Sequence, residues 1–248
     1  MASVLSSRAL HHETRLLRSE PLAEGTMGFR FARPQGFDFT AGQNGQFTLL
    51  DAKEFDGFGP TRTFTFASAP HEPELLIATR MRDTAFKRTL RFASPGLRVG
   101  LEGPNGLMVL HDEAARPAVF MAGGIGVTPF LSMARHAAHA KLPHQLWMFY
   151  SNRRPEDAPF LSELQGLAGA NPNFHFVPTM TGMEKSHSQW RGETGVVGAA
   201  MIERHLRGVE RPIYYLAGPP GMVMGMQTML DGLGVPLDDV RDEEFYGY

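Results

Sequence analysis

Residues 118–130 read AVFMAGGIGVTPF. A short apolar run ends in paired glycines, and Thr128 and Pro129 then open a second apolar stretch. Continuous apolarity over so few residues suits a strand buried on both faces. Glycines let the chain turn sharply and let a ligand approach its backbone. Threonine can cap a helix and proline suits its first turn, so a helix is expected to begin here. Its free N–H groups and partial positive charge suit a phosphate. The spacing is not the GxGxxG of the dinucleotide fold, because Pro129 holds the last place. A plain strand-to-helix corner needs the same glycines, so the surrounding chain has to decide.

Downstream, the same rhythm repeats. QLWMFY precedes DAPFLSELQGLAG, NFHFV precedes VVGAAMIERHL, and PIYYLAG precedes GMVMGMQTMLDGLG. Strands alternating with helices indicate a parallel α/β sheet covered on both faces. Upstream of about Leu110 the chain reads differently. GFRFARP, GQFTLL, RTFTFAS, ELLIATRM and LRVGLEGP are short, aromatic-rich or alternating, and Gly, Pro, Asn and Asp clusters separate them. Such a pattern suggests a small antiparallel barrel or sandwich. A first strand is expected from Leu10, and one helical window, DTAFKRTLRFA, lies inside this half. The rhythm changes at HDEAARP, so the expected division is residues 1–113, an antiparallel β-barrel, and residues 114–248, a parallel α/β domain with an aromatic tail.

The 24 basic and 26 acidic side chains nearly balance, which argues against a nucleic-acid partner. Without cysteine the chain holds no disulfide, Cys-zinc site or thiolate-bound iron–sulfur cluster. No apolar run approaches the ~20 residues that span a bilayer, so the protein is read as cytoplasmic and not integral to a membrane. His136 and His139 have a metal-compatible spacing but no third ligand of matching placement, so no metal is expected. No GxSxG elbow supports acyl hydrolysis.

Five further stretches carry chemistry. AGPPGM, residues 217–222, is a second Gly-Pro turn into a helix at a strand end. SNRRPED, residues 151–157, places Arg153 and Arg154 where an arginine accommodates a nucleotide 2′-phosphate; two solvated loop arginines would read the same. TRMRDTAFKRTLR, residues 79–91, gathers five basic residues around Asp83, either a wet face or a seat for a pyrophosphate. TRTFTF, residues 61–66, sets a guanidinium, flat rings and small hydroxyls on one strand, and DEEFYGY ends the chain with an acid and three rings.

In this order the motifs resemble the ferredoxin–NADP reductase family of flavoproteins, across nearly the whole chain. That family writes the TRTFTF motif as Arg-x-Tyr-Ser. The resemblance implies that Arg62 holds the FAD pyrophosphate, that Phe64 stacks on the isoalloxazine and that Thr65 hydrogen-bonds near flavin N5. Thr79 and Arg80 match the second FAD-contacting strand. Phe86 and Lys87 match the diphosphate loop, with lysine where Ser or Thr is usual. Gly124, Gly126, Thr128 and Pro129 match the NAD(P) pyrophosphate turn. Gly218, Pro219 and Pro220 match the turn beside the nicotinamide, where Ala217 replaces the family cysteine. Glu243 and Phe245 match the tail whose ring covers the flavin, and Tyr246 to Tyr248 form a short extension. The Ser-Arg pair that many NADPH users carry after the third strand is absent from PTMT, residues 178–181.

The resemblance implies an FAD-dependent oxidoreductase. It takes hydride from NAD(P)H, with NADPH slightly favoured, and passes single electrons to ferredoxin or flavodoxin. Arg82, Arg88 and Arg91 would steer such an acidic partner. Two alternatives stand beside it: the reductase component of a multicomponent oxygenase, and a flavin- or nucleotide-binding redox sensor with little turnover.

Overall fold

A computed structural model describes residues 11–51 and 56–246. Leu10, Tyr248 and the residue before it lie outside the described residues. The first half forms β1 (His11–Ala23), β2 (Thr26–Ala32), β3 (Asn44–Leu49), β4 (Thr61–Thr65), β5 (Glu74–Arg80), the helix α1 (Ala85–Phe92) and β6 (Arg98–Asn105). The strands make one antiparallel sheet in the order β4-β3-β6-β1-β2-β5. Its inward residues meet in one core rich in phenylalanine, including Phe29, Phe31, Phe47 and Phe66. Phe86 and Leu90, four apart and so on one side of α1, plug into that core.

The two edge strands approach without forming a ladder among the described residues. Just past β4, the Ala67 N–H donates to the Leu76 carbonyl at 2.8 Å. Beside Thr63–Thr65 and Ala78–Arg80 the edges part and leave a gap.

The second half runs β7 (Ala118–Gly123), α2 (Thr128–Ala140), β8 (Leu146–Asn152), α3 (Leu161–Ala170), β9 (Phe174–Met180), β10 (Glu193–Thr194), α4 (Ala199–His205), β11 (Ile213–Gly218), α5 (Pro220–Gly232) and β12 (Val240–Glu244). All are parallel, in the order β10-β9-β8-β7-β11-β12. Every residue of β7 and of β11 is buried, as continuous apolar strands between two helix layers should be. From β7 the chain moves outward through β8, β9 and β10, then returns to β11 on the other side. This reversal opens a crevice at the C-terminal ends of β7 and β11.

Thr128 does not cap α2. A single 3-10 turn, Gly124–Val127, precedes the helix, and the Thr128 hydroxyl donates to the Ile125 carbonyl at 3.1 Å. The turn presses so closely on β11 that a Cβ at Gly126 would lie 2.3 Å from the Ala217 carbonyl oxygen.

The halves share a core. Ala67, Leu76, Ala78 and Met108 of the barrel pack in one cluster with Phe130, Leu131 and Met133 of α2. The Ser132 hydroxyl donates to the Ser68 carbonyl at 2.7 Å, buried. Arg135 donates to the Ala67 carbonyl at 3.1 Å while pairing with Glu163 and Glu72 at 2.6 and 3.2 Å. His139 stacks on His71 of the barrel at 3.7 Å.

Candidate functional site

The gap between β4 and β5 is a cleft of about 470 Å³. Arg62, Phe64 and Thr65 line it from β4, and Ala78, Thr79 and Arg80 from β5. Arg82, Thr84 and Lys87 wall it at the start of α1, while Ile125, Thr128 and Phe245 close it from the other half. The Thr84 hydroxyl caps α1 by accepting from the Lys87 N–H. Lys87 Nζ donates to the Arg80 carbonyl at 2.8 Å. Burial, then the charges of Arg82 and Arg62, push its ammonium down to about 8.

Thr65 Oγ1 is buried and has no hydrogen-bond partner. Phe64 rests edge-on to Phe47 and tilts against Phe86. Arg62 is engaged by its own loop. It donates to the Phe58, Gly59 and Thr61 carbonyls and pairs with Asp56 at 3.0 Å.

A second cleft of about 470 Å³ lies at the ends of β7, β8, β9 and β11. Gly123, Gly124, Ser151, Asn152, Arg153, Asp157, Thr181, Pro219 and Met222 line it together with Arg80 and Arg82. The two clefts therefore meet at a pair of arginines. A polar groove continues from the second cleft past Arg153, Arg154, Gly182 and Lys185.

Other residues expected at the site stand behind the walls. Phe86 is buried beneath Arg62, whose guanidinium carbon sits 5.5 Å from its ring centre. Gly126, Pro129, Gly218 and Pro220 shape the two turns without facing either cleft. Glu243 lines a separate hollow with Gly106, Leu107, Met108, Arg241 and Asp242. It accepts from Asn44 Nδ2 at 3.2 Å, and Asn44 stands opposite Thr65 in the β3–β4 ladder. Burial raises the Glu243 carboxyl above the usual range, and Asn44 only partly offsets this. The Phe245 N–H donates to the Gly218 carbonyl at 2.9 Å, which fixes the tail at the end of β11.

Sequence reading missed Asp56, Phe58, Ile125, Asn152, Asp157 and Met222. Asp157 stood in the SNRRPED stretch and Asp56 in the DGFGP spacer, but nothing local showed which arginine each would bind. No group of three or more metal-ligating side chains occurs among the described residues. No described helix is long and apolar enough to cross a membrane.

Residues 120–228 match the family model described as "Oxidoreductase NAD-binding domain". The chain is 30% identical over 243 residues to ferredoxin–NADP reductase B of Sorangium cellulosum, covering 94% of this chain and 97% of that protein. It is 27% identical over 241 residues to the reductase component of propane 2-monooxygenase of Rhodococcus jostii, and spans 63% of that protein's length. Among solved structures, a ferredoxin–NADP+ reductase from Neisseria gonorrhoeae with bound FAD and NADP superposes with a TM-score of 0.76 at 18% identity, over 94% of this chain and 98% of that one. The ferredoxin reductase of carbazole 1,9a-dioxygenase gives 0.79 at 21% identity, over 97% and 71%. With the barrel, the parallel sheet and near end-to-end coverage of a reductase 30% identical, the chain belongs to the ferredoxin–NADP reductase family of FAD- and NAD(P)-binding oxidoreductases.

Proposed function

We propose that this chain takes reducing equivalents as hydride from NAD(P)H, through FAD, and delivers single electrons to a separate acceptor protein, ferredoxin or flavodoxin. One observation carries the reading. A cleft in the open edge of the barrel meets a cleft at the switch point of the parallel sheet, and Arg80 and Arg82 wall both. In this proposal residues 1–113 hold the flavin and residues 114–248 hold the nicotinamide nucleotide.

The residues present fit a flavin dinucleotide. An unpartnered buried hydroxyl, Thr65 Oγ1, marks where a ring nitrogen would find its donor. Flat rings, Phe64 and Phe245, flank the same cleft. Arg82 and Lys87 give the diphosphate end its cations. When bound, the flavin supplies the conversion of a two-electron donor into single-electron transfers.

The chain's own work is orientation and exclusion. Thr79 and Arg80 hold the far wall, and Phe245, anchored on Gly218, covers the cleft from the nicotinamide side. The turns at Gly124–Pro129 and Gly218–Pro220 would seat the nucleotide at the sheet ends, and of the two arginines near the end of β8 it is the exposed Arg153 that leans toward NADPH, since Arg154 is held by Asp157 and Glu24. Glu243 stands next to Asn44, behind Thr65, with its carboxyl raised by burial. Arg88, Arg91 and Phe92 on the exposed side of α1 offer charge and a ring to an acidic partner.

A second reading is favoured by the match to a propane 2-monooxygenase reductase component: the acceptor is the iron–sulfur or oxygenase partner of a multicomponent oxygenase. The anaerobic visible spectrum, taken before and after NADPH or NADH, tests both readings. Bleaching of a flavin band establishes the reductase, and titration with candidate acceptors then separates them. A flavin band that neither nucleotide bleaches would overturn them.

A further inference from the structure

We propose that Lys87 is a modification site: in the flavin-free chain its Nζ takes an acyl group from an acyl phosphate, and the acylated side chain then hinders FAD. The last clause rests on the reading that the barrel cleft holds FAD.

Position sets this lysine apart. Lys141 and Lys185 are exposed, whereas Lys87 is half-buried in the first turn of α1 and lines the cleft. Its Nζ donates to the Arg80 carbonyl at 2.8 Å, which holds the amine against the end of β5. No carboxylate of the described residues pairs with it, and the charges that reach it are those of Arg82 and Arg62. A carboxylate partner would lock the amine as ammonium; guanidinium neighbours do the reverse. Burial first, and then these two arginines, bring the ammonium down to about 8, so much of the amine is free to react near neutral pH. A lysine desolvated beside other cations is an activated nucleophile. The Ser or Thr usual at this place in the family offers no such amine.

The same cations select the electrophile. Arg62 and Arg82 line the cleft together with Lys87, so an anionic reagent is drawn toward the amine. An acyl phosphate carries its charge on the leaving group, and a guanidinium that binds phosphate stabilises it as it departs. The Nζ lone pair attacks the acyl carbon and a C–N bond forms. The bond from that carbon to the phosphate oxygen breaks, and its electron pair leaves with the phosphate. The surplus Nζ proton passes to phosphate or water, and nothing is oxidised or reduced. The product amide is uncharged, and its remaining N–H can still donate to the Arg80 carbonyl. One cation is lost and bulk is added in a cleft of about 470 Å³, on the wall proposed for the flavin diphosphate. Cofactor and acyl group therefore exclude each other.

Mass-spectrometric peptide mapping of the cofactor-free full chain, incubated with acetyl phosphate at pH 8, tests this. About half of an amine titrating near 8 is then neutral, against about 0.4% of an ordinary lysine. Lower basicity offsets part of this gain, so Lys87 should be acetylated about 10-fold faster than Lys141 and Lys185. Its rate should rise with pH and level off above about 8. Saturating FAD should suppress labelling of Lys87 and leave that of Lys141 and Lys185 unchanged. After acetylation the wild-type chain should bind FAD about 10-fold more weakly, read by fluorescence titration. Lys87→Arg keeps a cation that acetyl phosphate does not acylate, and should bind FAD equally before and after treatment. Labelling of Lys87 no faster than of Lys141 and Lys185, or an equal loss of FAD affinity in treated Lys87→Arg, overturns the proposal. Fast labelling of Lys87 in a chain that binds no FAD confirms the acylation and overturns the reading of the cleft.

Discussion

The Asp56 carboxylate and the Arg62 guanidinium meet at 3.0 Å, and the other Asp56 oxygen accepts the Ala85 N–H at the start of α1 at 2.9 Å. Arginine plus a helix N-terminus is what a diphosphate would seek, and here a carboxylate of the same chain occupies both donors. Although burial opposes it, hydrogen bonds from Ala85, Phe58 and Arg62 hold the Asp56 carboxyl below its usual range, so it stays anionic at neutral pH. Asp56→Asn should weaken this competition and tighten FAD binding by about 10-fold, read by fluorescence titration of the cofactor-free chain. Weaker binding instead would show that Asp56 serves to aim Arg62.

Lys87 gives the same cleft a pH dependence. Its ammonium is pushed down to about 8 in the free chain, and a bound diphosphate raises it again. The charged form is then favoured by binding, so affinity is full below pH 8 and falls as pH climbs through the raised value. Dissociation constants for FAD measured between pH 7 and 9.5 should rise in the wild-type chain and stay level in Lys87→Met.

Glu243 should act on stability. Its folded carboxyl titrates above the ordinary value, so its favourable contribution is complete below that value and is lost as pH rises through the raised one. Glu243→Gln keeps the neutral form at every pH and can still accept from Asn44 Nδ2. Urea unfolding measured across pH should find the variant gaining stability on the wild-type chain as pH rises through the raised value, with the difference smallest at pH 4.

Arg135 bolts α2 to the barrel. It is mostly buried and meets Glu163, Glu72 and the Ala67 carbonyl together. Arg135→Met strands two partly buried carboxylates and a carbonyl, at a cost of about 2–3 kcal/mol in urea unfolding. Arg135→Met,Glu163→Leu should recover part of that loss; a double variant as unstable as the single one would place the effect in packing alone.

Much of this molecule could be read from local pattern. The alternation of apolar strands with helices gave away the parallel sheet, because both faces of β7 and β11 must be dry. The glycine turn at 123–126 was visible because only glycine tolerates that approach to Ala217. The edge strand β12 was not, since VRDEE has no apolar run and is a strand only through its ladder with β11. The fates of Arg153 and Arg154 were equally hidden. They are identical neighbours, and Glu24, more than a hundred residues away, helps decide between them. Arg62 was recognisable as a cation on a strand, but its occupation by Asp56 depends on a loop whose path no residue spacing encodes.

Arg80 and Arg82 belong to both clefts, and this has a thermodynamic consequence. If the two clefts hold the flavin and the nicotinamide nucleotide as proposed, two dinucleotide anions draw on one pair of cations and cannot bind independently. Whichever arrives first alters the field that the second meets. Whatever factor the flavin imposes on the affinity for the nicotinamide nucleotide, the nucleotide must impose in return on the flavin. An enzyme with that arrangement holds its prosthetic group with a strength set partly by how much substrate surrounds it.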